Sequence, residues 1–227
     1  MTIKLPFRKL AAAALFVSTD ETRVVLTGVR IEPKPYGVLI IGCDGRRIVF
    51  IRHEIEALDE TLKGPILIPA ALINRLGVRL ADETFFDEEG TQERQCTNPP
   101  WQDCTVSVFG LEVSIRLEGS HGVIGNLLEP DRYPPTAQVI PTTPIEPYKV
   151  ASFSASFMAD YEKACRWLSG DGSCSVLAAG HQRVHGGDHA GIYSVRMETC
   201  PDFYSVLMPV KVDNALVAVA VPDWLKA

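Results

Sequence analysis

Three histidines recur at four-residue spacing in the last third of the chain: His181, His185 and His189. On a helix this spacing would place the imidazoles on one face, where they could bind a metal ion. Gly186-Gly187 lies between them and disfavours a helix, and neither a Cys-x-x-Cys motif nor a carboxylate cluster accompanies them. Gly-x-Ser-x-Gly, Walker and dinucleotide-binding motifs are missing from the sequence as well. We therefore predict no enzyme activity, no metal and no cofactor; a metal-dependent enzyme built on these histidines is the alternative left open.

Basic residues provide a second kind of chemistry, the binding of phosphate groups. Apolar residues at helical spacing predict helices over residues 4–18, after Pro69 and around 157–168. The polar faces of these helices carry five cationic side chains that could contact phosphates: Arg8, Lys9, Arg75, Lys163 and Arg166. A net charge of -6 argues against non-specific coating of nucleic acid, although an acidic protein can still have one positive surface. The alternative is that these side chains only solvate exposed helix faces.

Strand signals fill most of the sequence between the predicted helices. Residues 20–51 contain β-branched runs bounded by Pro, Gly and Asp, with Asp44-Gly45 between two of them, which predicts a three-stranded antiparallel meander. Further strands are predicted at 66–68, 105–109, 111–117, 175–178, 192–197 and 203–210. The segment 81–103 is acidic and interrupted by Gly and Pro, which is typical of a solvated loop.

The bulk composition is that of a globular protein. The 227 residues, 46% hydrophobic and 22% charged, suffice for one large or two ordinary domains. No apolar run reaches the ~20 residues that span a bilayer, and no cleavage site follows the short N-terminal apolar stretch. The six cysteines are scattered, which predicts reduced thiols. We expect a cytoplasmic protein that does not bind membranes.

Three separated segments resemble the bacterial β sliding clamp, the ring that tethers the replicative polymerase to DNA. The first pairs a Glu-Thr-Arg-x-x-Leu-x-Gly-Val motif at 21–29 with Asp-Gly-Arg-Arg-Ile at 44–48, similar to the middle domain of the family. The second contains an Arg-Tyr-Pro turn at 132–134, where the family has Arg-Phe-Pro, and a Val-Ile-Pro exit at 139–141. The third, at 204–211, is similar to the closing strand of the clamp.

An internal repeat accompanies the resemblance. Residues 1–64, 65–143 and 147–227 each contain a basic amphipathic helix followed by antiparallel strands. The resemblance implies an α+β DNA-clamp fold of repeated helix-plus-sheet half-domains, with the helices on one concave face. It implies a domain at 1–143 similar to the middle domain and a shortened domain at 147–227. The third repeat lacks a mate, which either the apolar tail at 216–221 or another protomer would supply.

The resemblance also implies a function. A clamp-like processivity factor would encircle double-stranded DNA without reading its sequence and would dock DNA polymerase and other clamp-binding proteins through a peptide-binding cleft. The alternative is a peptide-binding module that forms no ring and competes for clamp-binding proteins. A homo-oligomer is expected for the ring. The resemblance also implies that the cationic residues of the three helices are DNA-binding, namely Arg8, Lys9, Arg75, Lys163 and Arg166. The residues carried over to the cleft are Leu26, Cys43, Gly45, Arg46, Ile48, Pro134, Val139, Val206, Met208, Pro209, Val210 and Lys211, with Arg46 replacing the usual His and Cys43 the usual Thr.

Overall fold

The computed structural model describes residues 1–56, 61–81, 102–119, 122–141, 153–169, 175–181 and 191–209. Three helices and eleven strands lie in this described part. In chain order they are β1 (Thr2–Pro6), α1 (Phe7–Ala14), β2 (Gly28–Lys34), β3 (Gly37–Cys43), β4 (Arg47–Glu54), β5 (Ile66–Pro69), α2 (Ala70–Ala81), β6 (Asp103–Phe109), β7 (Glu112–Leu117), β8 (Gly122–Asn126), α3 (Ala155–Ser169), β9 (Val176–His181), β10 (Ile192–Met197) and β11 (Cys200–Leu207). None of the described helices is long and apolar enough to cross a membrane.

The elements form three repeats of one unit. The first runs β1-α1-β2-β3-β4 and the second β5-α2-β6-β7-β8, while the described part of the third runs α3-β9-β10-β11. The first two repeats exchange their leading strands, because β1 pairs with β6 and β5 pairs with β2. The predicted α+β fold of repeated helix-plus-sheet units is therefore confirmed.

All strand pairs are antiparallel and form two sheets among the described residues. One sheet has the order β1-β6-β7-β8 and the other β5-β2-β3-β4-β11-β10-β9. The larger sheet joins the third repeat to the first through β4 and β11, with Ile48 opposite Val206. The division into domains at 1–143 and 147–227 stays a prediction, and residues 142–152 lie outside the described part.

The helices form a layer against the sheets. α1 packs against both α2 and α3. The approach is close: a Cβ added at Gly42 in β3 would lie 2.2 Å from the carbonyl oxygen of Ala13 in α1. Phe16, which follows α1, contacts Tyr161 of α3 and Phe203 of β11, with ring centroids 5.0 and 6.0 Å apart. These aromatic contacts attach the third repeat to the first.

Two stretches of secondary structure differ from the sequence-based prediction. Residues 21–27 form a 3-10 helix with a kink at Arg23, because the Asp20 side chain accepts hydrogen bonds from the Thr22 backbone and hydroxyl and holds the chain in a local turn. The meander therefore begins at Gly28. The helix expected from residue 4 begins at Phe7, since Thr2–Pro6 form β1. Strand β8 was not predicted, because its two glycines weaken the β signal.

Cysteines and histidines are described only in part. Cys43, Cys104 and Cys200 are free thiols, as predicted, whereas Cys165 is disulfide-bonded, so the prediction of reduced thiols is wrong there. His185 and His189 lie outside the described residues. Among the residues that the structure describes, no group of His, Cys, Asp and Glu could hold a metal ion.

Candidate functional site

The larger sheet is apolar on both faces. Ile40, Val49 and Ile51 join the core that also contains the helices. The alternating residues of the same strands contribute to a second apolar cluster, which contains no residue of α1, α2 or α3. Because successive side chains of a strand point to opposite faces, this cluster lies on the face turned away from the helices. Its buried members are Leu26, Ile41, Cys43, Ile48, Phe50, Leu67, Tyr133 and Val206.

Strand register brings the first and last predicted segments together. Ile48 lies opposite Cys43 in the β3–β4 pair and opposite Val206 in the β4–β11 pair. Cys43, Ile48 and Val206 are each more than nine-tenths buried. The Met208 N–H then donates to the Arg46 carbonyl at 2.8 Å, so the chain after β11 follows the β3–β4 turn. Residues more than 150 positions apart in sequence therefore share one cluster.

The β3–β4 turn positions Leu26 beside the strands. Gly45 has a φ of +88°, a left-handed conformation that the Asp-Gly hairpin turn requires. A Cβ added there would lie 3.1 Å from Arg23 Nη1 and 3.7 Å from Leu26 Cδ1. The 3-10 helix at 21–27 thus packs against this turn, and its Leu26 is buried in the second cluster.

The middle segment reaches the cluster by a separate route. Leu128 forms a bridge with Leu67 in β5, and its N–H donates to the Leu67 carbonyl at 2.9 Å. Arg30 of β2 donates to the Pro130 carbonyl at 2.9 Å, and its guanidinium lies 5.1 Å from the centroid of the Tyr133 ring. Val139, in a 3-10 turn at Thr136–Val139, packs against the cluster and is half-buried. The segment at 127–139 is thereby attached to the outer face of the sheet.

Exposed apolar side chains border the cluster. Val24, Ile140 and Met208 are 54%, 43% and 49% exposed, and each adjoins a residue that packs in the cluster or at the β3–β4 turn. Pro134 and Pro209 are half-buried. Val210 and Lys211 lie outside the described residues. The structure therefore brings Leu26, Val139 and Val206 into one cluster and places Met208 beside the β3–β4 turn; their role as a peptide site stays a prediction.

The polar groups within the cluster stay uncharged at neutral pH. Burial raises the pKa of the Cys43 thiol. Burial, with a smaller contribution from Cys43, raises the pKa of Tyr133 far above its usual range. A thiol held in its protonated form is a poor nucleophile. The Tyr133 hydroxyl is buried and makes no hydrogen bond to any residue that the structure describes. This chemistry suits the docking of apolar side chains and gives no sign of a covalent reaction.

Sequence reasoning missed Arg47, one position from the predicted Arg46. Its side chain is 5% exposed and forms ion pairs with Asp44 at 2.8 Å and Asp160 at 2.6 Å. The guanidinium also donates to the Leu15 carbonyl and lies over the rings of Phe16 and Phe157, 4.8 and 4.2 Å from their centroids. Arg47 therefore connects the turn beneath the cluster to both α1 and α3. The Asp-Gly-Arg-Arg-Ile motif contained this signal, but the sequence did not show which arginine is buried.

The five predicted DNA-binding residues have different surroundings. Lys9 is 13% exposed and donates to the Arg52 carbonyl at 2.7 Å and to Asp202 at 3.3 Å, and Arg8 is half-buried with a pKa that burial lowers. The side chains of Arg75, Lys163 and Arg166 are exposed. Arg166 pairs with Glu162, and Lys163 lies 4.7 Å from the centroid of the Trp167 ring. Only α2 and α3 therefore carry predicted cations that face solvent.

Comparison with solved structures identifies the class of fold. The chain is similar to the DNA polymerase sliding clamp of Bacillus subtilis, with a TM-score of 0.54 and 15% identity over 93% of this chain and 64% of the clamp. The clamp of Bartonella birtlesii bound to griselimycin aligns with a TM-score of 0.57 and 15% identity over 93% of this chain and 66% of its own.

The DNA polymerase III β subunit of Borrelia burgdorferi, in complex with a natural product, aligns with a TM-score of 0.54, 12% identity and 93% and 64% coverage. No protein-family model matches the sequence, and no curated protein matches it. The chain has the sliding-clamp fold and spans about 64% of the length of the clamps from Bacillus and Borrelia.

Proposed function

We propose that this protein is a non-catalytic, sliding-clamp-like processivity factor that encircles DNA and docks polymerase or repair proteins through short peptides. The observation that carries the proposal is the second apolar cluster, where three separated segments meet on the sheet face away from the helices. Separate faces allow a clamp to hold DNA on one side and a client on the other.

The proposed peptide site uses the exposed residues Val24, Ile140 and Met208 as its border and the cluster around Leu26 and Val206 as its floor. An extended peptide that inserts one or two apolar side chains there would bury surface that water now contacts. Methionine suits such a site because its flexible side chain adapts to different ligands.

The proposed DNA surface is the solvent side of the helix layer. Arg75, Lys163 and Arg166 are exposed and suit loose, sequence-independent contacts with phosphates. Lys9 is excluded from this set because its side chain is only 13% exposed and its ammonium group is held by Asp202 and the Arg52 carbonyl. Because Lys9 of α1 is already paired with Asp202, α1 offers less positive charge to DNA, which specifically favours the second candidate, a peptide-binding module that forms no ring.

Fluorescence anisotropy with a labelled clamp-binding peptide tests the peptide site. Met208→Glu should weaken binding at least tenfold, because it places a carboxylate where an apolar side chain docks. Leu111→Glu is the matched control, since Leu111 is 77% exposed in the β6–β7 turn, away from the cluster. If the wild type and Met208→Glu bound the peptide with equal affinity, the assignment of the peptide site would be wrong. Griselimycin, which is bound to the Bartonella clamp, is a second probe for the same comparison.

Retention on DNA separates the two candidate functions. A ring stays on closed circular DNA and slides off linear DNA, whereas a peptide-binding module is retained by neither. Charge reversal of Lys163 and Arg166 should reduce retention and the dependence on salt, because fewer phosphates are neutralised. Peptide binding without retention on circular DNA would leave the second candidate as the function.

A further inference from the structure

The joint between the first and third repeats shows how two repeats meet in this molecule. β4 is the last strand of the first repeat and β11 is the last described strand of the third, and the two are antiparallel neighbours. Arg47 O accepts from Asp44 N on the β3 side at 3.2 Å, whereas Arg46 O accepts from Met208 N at 2.8 Å. Alternate residues of the β4 segment therefore form their backbone hydrogen bonds with β3 and with β11. In this joint, the last described strand of one repeat pairs with the last described strand of another.

β8 is the last strand of the second repeat and has no second neighbour in the described part of the chain. Leu127 N donates to Leu111 O at 2.7 Å, so Leu127 and every second residue before it direct their backbone groups toward β7. Gly122, Ile124 and Asn126 consequently direct their backbone N–H and C=O groups away from β7. β8 thus offers the same kind of edge that β4 offers to β11.

Two of the other three sheet edges in the described part contain residues that discourage pairing, and β8 does not. The third edge, β9, also lacks lysine and proline, but it is the first described strand after its helix and not the last strand of a repeat. β1 contains Lys4 and Pro6, and β5 contains Pro69 and is bridged by Leu128. Charged residues and proline are the usual protection of an exposed edge. The sequence of β8, Gly-Val-Ile-Gly-Asn, has neither, and the Ile124 side chain is 62% exposed.

We propose that β8 pairs with β8 of a second copy of this chain, antiparallel and across a two-fold axis at Ile124. The other last strands are occupied, since β4 lies between β3 and β11 and β11 lies between β4 and β10. Among the strands that the structure describes, β8 of the second repeat is therefore the last strand that is available for a joint of the same kind. Two identical antiparallel strands are related by a two-fold axis, which gives a closed, isologous contact.

The register follows from the outward-facing residues. Ile124 lies opposite Ile124 of the partner subunit, and Gly122 lies opposite Asn126 of the partner subunit. The outward N–H and C=O groups then bond across the axis, and the two exposed isoleucine side chains become neighbours. None of these residues is charged, so no like charges face each other within the strand pair. The Arg75 guanidinium, which donates to the Ile124 carbonyl at 3.2 Å, releases that carbonyl to the partner's N–H.

This self-pairing goes beyond the proposed function and does not rest on it, because neither DNA nor peptide takes part. Light scattering of the full chain at micromolar concentration tests it. The wild-type mass should be an even multiple of 24.9 kDa. Ile124→Pro should halve that mass, because it removes an outward N–H and leaves the bonds to β7 intact. Ile124→Lys should also halve it, since two ammonium groups would face each other across the axis.

Lys4→Pro is the matched control. The bond from Val108 N to Met1 O at 2.9 Å shows that Lys4 directs its N–H away from β6, at the opposite edge of the same sheet. Its mass should equal that of the wild type. A monomeric wild type, unchanged mass in both Ile124 variants, or a halved mass in Lys4→Pro would each overturn the proposal.

Discussion

Replacing Arg47 by methionine should destabilise the fold far more than the same change at Arg46. Arg47 is 5% exposed and pairs with Asp44 and Asp160, which are 13% and 31% exposed. Methionine keeps most of the packing against Phe16 and removes the charge. Arg46 is exposed, and its backbone makes the contact with Met208, so its side chain can change without disturbing the cluster.

The magnitude follows from the carboxylates left behind. Removing one partner of a fully buried ion pair costs roughly 3–5 kcal/mol, because the other charge stays desolvated. Asp160 is partly exposed and Asp44 keeps hydrogen bonds from the N–H groups of residues 46 and 47, so we expect the lower end, about 3 kcal/mol. Arg46→Met should stay within about 0.5 kcal/mol of wild type, as surface changes usually do.

Urea unfolding followed by circular dichroism measures both variants. A double-mutant cycle with Asp160→Asn isolates the contact between the first and third repeats, and we expect a coupling of about 1–2 kcal/mol. If Arg47→Met lowered the free energy of unfolding no more than Arg46→Met, the buried arginine would not hold α1 and α3 together. If the coupling energy with Asp160 were zero, the whole loss in the free energy of unfolding would come from the contact between Arg47 and Asp44 in the β3–β4 turn.

Three further outcomes are expected. Tyr133→Phe should raise the free energy of unfolding by about 1 kcal/mol, because it removes a buried hydroxyl without a partner; a loss in urea unfolding would contradict this. Gly42→Ala should lower the midpoint of thermal unfolding, since its Cβ would collide with the Ala13 carbonyl, and an unchanged midpoint would refute that close approach. Burial alone would raise the pKa of Asp202, but the ion pairs with Arg52 and Lys9 lower it overall. The carboxylate therefore stabilises the fold above its unfolded pKa, and this contribution is lost as the pH falls through the folded pKa. Asp202→Asn should therefore weaken the dependence of stability on pH below about 4, and an acid titration by circular dichroism measures the difference.

Local pattern determined the elements that depend on near neighbours. Phe7 and Leu10 at helical spacing predicted α1, and Asp44-Gly45 between β-branched runs predicted the β3–β4 hairpin. The periodicities of 3.6 and 2 residues follow from backbone geometry alone, so they are readable without the fold. The resemblance of three short segments to sliding clamps also predicted the repeated α+β fold and the meeting of Leu26, Val139 and Val206.

Tertiary structure decided which of two similar residues is buried and which edge is left unpaired. Arg46 and Arg47 have the same chemistry, and only the pairing of β4 with β3 and β11 turns Arg47 toward the helices. Lys9 lies on the polar face of its helix, yet Asp202, from a distant part of the chain, binds it. Burial and ion pairing depend on which remote segment arrives beside a residue, and no local periodicity records that. The edge of β8, which pairs with no second strand in the described part of the chain, has the same origin, because an edge exists only where a sheet ends.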